Sequence, residues 1–208
     1  MSTEVQAHTE VHVHRDDVGA RMGMWLFLFT ELILFGGMFI VYSVYRYTHP
    51  EDFHLAAKNL NTIVGAFNTI ILLTSSLTMV LSIVAIQRQK KNLSIFFQII
   101  TIVLALGFMV NKYFEWTAKF HHGIYPGSET LMNESSGQIL FYGLYYVMTG
   151  LHGLHVIIGF TMIAVMVRFT HKGIVTYDNY VKLENVGLYW HLVDIIWIFL
   201  FPLFYLIT

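Results

Sequence analysis

Long apolar stretches separated by short polar segments are the main pattern of this chain. Five of these stretches can cross ~30 Å of hydrocarbon at about 20 residues each, and they cover residues 21–45, 62–86, 93–116, 137–169 and 184–207. Backbone polar groups must be satisfied inside lipid, so we expect helices rather than open strands. The predicted fold is therefore all-α, a polytopic membrane protein with a bundle of five transmembrane helices. The fourth stretch is overlong and should tilt or protrude.

The first twenty residues form a polar segment with both charge signs and no apolar signal-peptide core. We expect residues 1–20 to be a disordered tail and residues 21–208 to be the membrane domain. Three histidines in the tail could bind a metal ion, although a solvated end is the favoured interpretation: His8, His12 and His14.

Basic residues give the orientation, because cytoplasmic segments are enriched in Lys and Arg. The tail and the segments after the second and fourth stretches contain Arg15, Arg21, Arg88, Lys90, Lys91, Arg168, Lys172 and Lys182. The opposite side contains Arg46, Lys58, Lys112 and Lys119. This imbalance predicts an inside N-terminus and, after five crossings, an outside C-terminus. Trp116 and Tyr205 are among the aromatic residues that fit interfacial belts.

Composition supports the membrane assignment and excludes several classes of function. Hydrophobic residues make up 56% of the chain and charged residues 12%, whereas a soluble domain carries about a quarter charged residues. No basic cluster indicates nucleic-acid binding. The chain has no cysteine, which excludes disulfides, thiolate metal sites and thiol nucleophiles.

Several ionisable residues lie inside the predicted spans, where a charge costs roughly 2.5–3.5 kcal/mol on insertion scales. Glu31 is predicted near mid-membrane, at the same depth as His152 and His155 of the fourth span. Gly150 and Gly153 should let a neighbouring helix approach these histidines closely. Glu31 is then either a hydrogen-bonded structural carboxyl or a proton-handling one. If it is buried without a partner, we expect it to be protonated.

The fifth span contains His191 and Asp194, which share a helix face. We interpret them as a buried polar lock that hydrogen-bonds neighbouring helices, in preference to a proton relay. The lock predicts that Asp194→Leu lowers stability. His152 and His191 could alternatively grip a haem from two helices, whereas His-x-x-His alone is a weak metal signal.

Amides and small residues of the second and third spans indicate helix packing and interhelical hydrogen bonds rather than chemistry. Asn68 and Asn111 belong to this group. Glu115 is predicted near the outer end of the third span, where it would reach water or Lys119.

Five segments in order resemble subunit III of the haem–copper cytochrome c oxidases. They are "RMGMWLFLFTELILFGGMF", "LNTIVGAFNTIILLTSSLTM", "YFEWTAKFHHGIYPGS", "TGLHGLHVIIG" and "YWHLVDIIWIFLF". The last two are the strongest signatures. The chain resembles the shorter five-helix bacterial members, which lack the first helix pair of the long forms.

The resemblance implies a non-catalytic subunit without haem, copper or another metal, packed against the catalytic subunit I in a complex that also contains subunit II. Haem and copper are expected in these partner subunits, and the complex reduces dioxygen to water with electrons from cytochrome c or quinol while it pumps protons. The subunit would support assembly, sustained turnover and proton uptake. Glu31 matches a carbodiimide-reactive carboxyl. Arg168 matches a position that contacts lipid phosphate, with a topology anchor as the alternative.

Two other functions stay open at this point. One is an accessory membrane protein of a nitric oxide reductase system, which shares the signatures. The other is a small proton-coupled transporter, although the chain shows no inverted repeat and no pair of Pro-broken helices. We expect the protein in a bacterial cytoplasmic (inner) membrane with lipids around it and no nucleic acid, and a larger respiratory supercomplex is an open question.

Overall fold

A computed structural model describes residues 16–206. Its helices are α1 (Asp17–Thr48), α2 (Pro50–Lys58), α3 (Thr62–Gln87), α4 (Lys91–His121), α5 (Glu129–Met132), α6 (Ser136–His171) and α7 (Val181–Tyr205). Five of them are long and apolar enough to cross a membrane: α1, α3, α4, α6 and α7. The predicted all-α fold with five membrane helices is confirmed, and the orientation of the termini stays a prediction.

The first helix begins earlier than the sequence pattern suggested. Asp16 caps it, since its side chain accepts a hydrogen bond of 2.7 Å from the Gly19 backbone N–H, as an aspartate at an N-cap typically does. Residues 17–20 are therefore helical, and their assignment to a disordered tail was wrong. The rest of the predicted tail, with its three histidines, lies outside the described residues, as do the last two residues of the chain.

The short helix α2 was not predicted as a separate element. Pro50 occupies its first turn, and Glu51 and Asp52 are in the same turn, which are typical signals of a helix N-terminus. The helix buries Phe53 completely, with the ring edge-on to Tyr42 of α1 and Phe141 of α6. The segment after α1 therefore closes one end of the bundle instead of leaving it as a loop.

The spans α3, α4, α6 and α7 form the body of the bundle, and α1 lies against it. α4 packs against α3 and α6, while α7 packs against the same two helices. α1 contacts α6 and α7, and only 11% of its most apolar window is buried, compared with 50% for α7. Most apolar side chains of α1 must therefore be covered by lipid or by another protein.

Neighbouring helices approach α6 closely at Gly159 and also at Gly150, one of the two glycines predicted. A Cβ on Gly159 would lie 2.7 Å from the indole of Trp190 in α7. A Cβ on Gly150 would lie 3.3 Å from Trp116 of α4, and one on Gly153 would meet nothing within 4 Å. The expectation that these glycines let a neighbouring helix approach is therefore supported at Gly150 and wrong at Gly153.

The two ends of the bundle differ in exposed positive charge. The end where α1 begins, called the N-terminal end, exposes Arg21, Arg88, Lys90, Lys91, Arg168, Lys172 and Lys182. The other end, called the C-terminal end, exposes only Arg46 and Lys58 among the described Lys and Arg residues. Lys112 and Lys119, which the sequence count placed there, are buried. The exposed charge is thus more asymmetric than the sequence alone suggested.

Candidate functional site

The intramembrane glutamate of α1 meets one histidine of α6. The Oε2 atom of Glu31 lies 3.0 Å from Nε2 of His155. Both side chains are largely buried, with exposed fractions of 14% and 10%. The helices bring these residues together because α1 packs along α6, and the pair joins two polar groups that would otherwise face an apolar environment.

The contact of the second ring nitrogen of His155 indicates that this histidine and Glu31 share one proton. Nδ1 is 2.8 Å from the carbonyl oxygen of Leu151. A carbonyl oxygen only accepts, so Nδ1 carries a hydrogen. One further proton then lies between Nε2 of His155 and the carboxyl of Glu31. The pair is neutral overall whether that proton is on the oxygen or on the nitrogen, which makes it compatible with a membrane interior.

The Glu31–His155 pair lines a groove of about 510 Å³ between α1, α6 and α7. The other lining side chains are mostly apolar: Met24, Phe27, Ile158, Met162, Val186 and Tyr189, together with Asn185. Tyr189 donates a hydrogen bond of 3.2 Å to the carbonyl oxygen of His155, which fixes one wall of the groove. An apolar molecule can therefore approach the carboxyl from the side of the bundle.

The other histidine of α6 has a different environment. His152 is completely buried, between the ring of Phe108 at 5.6 Å and that of Trp197 at 5.2 Å. Neither ring nitrogen has a hydrogen-bond partner among the described residues. Only His155 meets Glu31, because residues three apart on a helix point about 60° apart. The aromatic rings around His152 also block a haem from reaching it, so the donor set does not fit the haem alternative.

The proposed lock of α7 is only half formed. Nδ1 of His191 lies 2.7 Å from the hydroxyl of Ser76 in α3, so this residue does join two helices. Asp194 is 3% exposed. Ser76 is near its carboxyl, but neither carboxyl oxygen has a hydrogen bond of ordinary geometry within residues 16–206. The lock therefore depends on His191.

Other interhelical hydrogen bonds connect α3 to α4 and α7. The Asn111 amide donates to Asn68 at 3.0 Å, as the packing interpretation of these amides predicted. Trp190 donates to Ser75 at 3.1 Å, and Trp197 donates to Thr69 at the same distance. These polar residues hold the helices in register.

A buried ionic network near the C-terminal end was not predicted. Nζ of Lys112 donates to Glu115 Oε2 at 3.1 Å, to the Tyr145 hydroxyl at 3.0 Å and to the Tyr205 hydroxyl at 2.8 Å. Both hydroxyls in turn donate to Glu115 Oε1 at 2.6 Å. The Lys112–Glu115 network, formed by these four residues, uses all three donors of the ammonium group.

This network corrects two expectations about the third and fifth spans. Glu115 does not reach out to water, since its side chain is 9% exposed and is held by Lys112. Tyr205 is 3% exposed and belongs to the core rather than to an interfacial belt. The spacing of Lys112 and Glu115 was the sequence signal that could have revealed this network, because oppositely charged residues three apart on a helix are neighbours.

The remaining predictions concern a lipid contact at Arg168 and the absence of a metal site. Arg168 is exposed in the last turn of α6, a position that suits either a lipid phosphate or a topology anchor. Across the described range, no group of three or more His, Asp or Glu side chains is arranged to hold a metal ion.

Comparisons with known proteins agree with the motifs. The family model described as cytochrome c oxidase subunit III matches residues 1–208. A cytochrome c oxidase subunit 3 of Alkalihalophilus pseudofirmus is 33% identical over 188 residues, which cover 89% of this chain and 85% of that protein. A probable quinol oxidase subunit 3 of Staphylococcus epidermidis is 29% identical over 188 residues, or 90% of this chain and 88% of the relative.

A third relative is much longer than this chain. It is the heme-copper oxidase subunit I+III of Aeropyrum pernix, which is 30% identical over 195 residues, covering 90% of this chain and 22% of the relative. The whole-length match to the family model is decisive. The chain belongs to the cytochrome c oxidase subunit III family.

Proposed function

We propose that this chain is the non-catalytic subunit III of a haem–copper terminal oxidase, which reduces dioxygen to water and couples the reaction to proton translocation. The observation that carries the proposal is the family match over residues 1–208. Relatives are named as subunits of cytochrome c oxidases and of quinol oxidases. The proposal therefore includes either electron donor.

The partner of this chain in the proposal is the catalytic subunit I. The Aeropyrum pernix relative, named as subunit I+III, supports direct packing, because one polypeptide there carries both names. The apolar face of α1 that this chain leaves uncovered is consistent with such a partner or with lipid. Subunit II completes the complex, and haem and copper belong to the partner subunits.

The proposed location is a bacterial cytoplasmic membrane, with the N-terminus inside. The bacterial relatives and the five apolar helices support the membrane. The exposed basic residues at the N-terminal end support the orientation. Arg168, exposed at that end, is a suitable contact for the phosphate of a bound phospholipid.

Within this chain, Glu31 is the proposed proton-related and carbodiimide-reactive residue. Its pairing with His155 keeps one shared proton in an otherwise apolar groove. Moving that proton between oxygen and nitrogen keeps the net charge of the pair at zero, and the form with a neutral histidine and a protonated glutamate has the lower desolvation cost. The role proposed for the pair is to support proton uptake by subunit I.

Purification of the intact complex through a tag on this chain tests the function. The sample is solubilised in mild detergent, analysed by mass spectrometry and read by a reduced-minus-oxidised spectrum. We expect subunits I and II, a haem signal and oxygen consumption that starts with reduced cytochrome c or quinol. A chain that purifies alone and colourless, with subunit I present in the same membranes, would contradict the proposal.

A further inference from the structure

A partly polar pocket of about 430 Å³ lies near the C-terminal end of the bundle and includes Glu115 of the Lys112–Glu115 network in its lining. Its polar lining comes from the segment between α2 and α3 and from the last turns of α4: Asn59, Asn61, Asn111, Glu115, Lys119 and His122. We call it the Lys119 pocket. It shares no residue with the groove of Glu31.

The charge of Lys119 is the feature that needs an explanation. The residue is 7% exposed, and its ammonium group lies 5.4 Å from the centre of the Tyr145 ring. Within residues 16–206 the Lys119 ammonium group has neither a hydrogen bond nor an ion pair, while the backbone carbonyl accepts from the Ile124 N–H at 3.0 Å. Glu115 interacts with it electrostatically, but that carboxylate is bound to Lys112. Two lysines thus share one carboxylate, and one positive charge is left uncompensated.

Other groups of the pocket add hydrogen-bond donors. Asn61 caps α3 through its Oδ1 atom, which accepts from the backbone N–H groups of Ile63 and Val64, and this leaves its NH₂ group for the pocket. His122 is exposed at the mouth. The neighbouring pocket contains one acid, Glu134, which interacts with Tyr142. An anion is therefore the ligand that this set of groups favours.

The lining also has an apolar part, formed by Val64, Phe114, Ala118 and Ile124. An inorganic anion alone would leave these side chains without a partner. A molecule with a phosphate group and an adjoining hydrocarbon part satisfies both halves of the pocket, as at membrane sites where basic residues hold a lipid head group.

We propose that the Lys119 pocket binds a phosphate-bearing anion, held by the Lys119 ammonium group and the Asn61 amide, and that a phospholipid head group supplies this phosphate. Binding compensates the second lysine and fills the space between α3 and α4. This site is separate from the one considered for Arg168, which is exposed at the opposite end of the bundle.

Two substitutions test the site in the intact oxidase complex. Lys119→Met removes the cation and keeps a chain of similar length. Asn61→Asp keeps the Oδ1 cap of α3, since Asp and Asn cap helices equally well, and replaces the donor with a negative charge. Lys58→Met is the matched control, because this exposed lysine is at the same end and does not line the pocket.

Native mass spectrometry of the purified complex counts retained dioleoyl phosphatidylglycerol, with dioleoyl glycerol as the probe that lacks phosphate. We expect Lys119→Met and Asn61→Asp each to lose one phosphatidylglycerol per complex, or to weaken its binding at least tenfold. Lys58→Met should match the wild type, and dioleoyl glycerol should not bind. If Lys119→Met fails to assemble, Asn61→Asp decides the question alone.

Equilibrium dialysis with ³²P-labelled inorganic phosphate distinguishes the two sources. If both variants retain as much phosphatidylglycerol as the wild type but bind less ³²P-phosphate, the anion site is supported and its ligand is free phosphate rather than a lipid. Unchanged binding of both probes in Asn61→Asp and in any assembled Lys119→Met complex would overturn the proposal.

Discussion

Removing the charge of Glu115 should destabilise the bundle strongly, because it leaves the Lys112 ammonium buried without its counter-ion. Glu115→Gln is the smallest such change, since it keeps the shape of the side chain. Lys112 is only 5% exposed, so little water can reach it to replace the lost carboxylate. Breaking a buried pair by removing one partner costs about 3–5 kcal/mol, and we expect a loss in this range.

The network also predicts a strong coupling between its charged members. Lys112→Met and Glu115→Met should each be severely destabilising, whereas the double substitution removes both charges and leaves two tyrosine hydroxyls that can bond each other, 3.4 Å apart in the structure. Replacing a buried ion pair by apolar residues of similar volume is often neutral or stabilising. We therefore expect the double variant to be more stable than either single one.

The assay is thermal release of this chain from the purified oxidase complex, followed by size-exclusion chromatography and mass spectrometry across a temperature series. Lys58→Met serves as the control for loss of an exposed lysine at the same end. Additive effects of the two single substitutions, or a Glu115→Gln complex as stable as the wild type, would refute the argument, because contacting charges must show coupling.

Three further predictions follow from other contacts. Gly159→Ala should destabilise the bundle by about 1–3 kcal/mol through overpacking, since the added Cβ would lie 2.7 Å from Trp190. Gly153→Ala should be tolerated, because nothing lies within 4 Å of the added Cβ. Melting curves of the two variants check this difference, and equal melting midpoints would contradict it. His191→Leu should lower the melting midpoint through loss of its bond to Ser76. Asp194→Leu should leave the midpoint unchanged or raise it, since neither carboxyl oxygen has a hydrogen bond of ordinary geometry within the described residues; a large drop for Asp194→Leu would instead support the lock predicted from the sequence. Dicyclohexylcarbodiimide should label Glu31 through the apolar groove and should not label Glu31→Gln, as peptide mass mapping would show; labelling elsewhere with Glu31 unmodified would exclude the site.

The sequence was informative wherever membrane physics restricts the choices. Five apolar stretches predicted the five spans because lipid leaves few alternatives to a helix. Glu31 and His155 were candidates because polar residues in such helices need partners. The start of α1 at Asp17 and the separate helix α2 were missed, although Asp16 and Pro50 carried ordinary signals for helix starts.

The specific partners depended on how the helices pack, which a single sequence does not show. Tyr145 and Tyr205 look like ordinary aromatic residues of a membrane helix until α4, α6 and α7 come together around Lys112. The same packing brings Glu31 into contact with His155 and encloses His152 between aromatic rings. Periodicity gives the face of a helix, and tertiary packing decides which neighbour that face meets.

We propose that this chain supports the oxidase without carrying its redox chemistry. The most direct test strips the chain from the purified complex and follows the haem spectrum and oxygen consumption of the remainder over repeated turnovers. We expect an unchanged haem spectrum, a retained initial rate and faster inactivation, with the wild-type lifetime restored when the chain is added back. Loss of haem together with the chain, or an unchanged lifetime of the complex without the chain, would exclude this role.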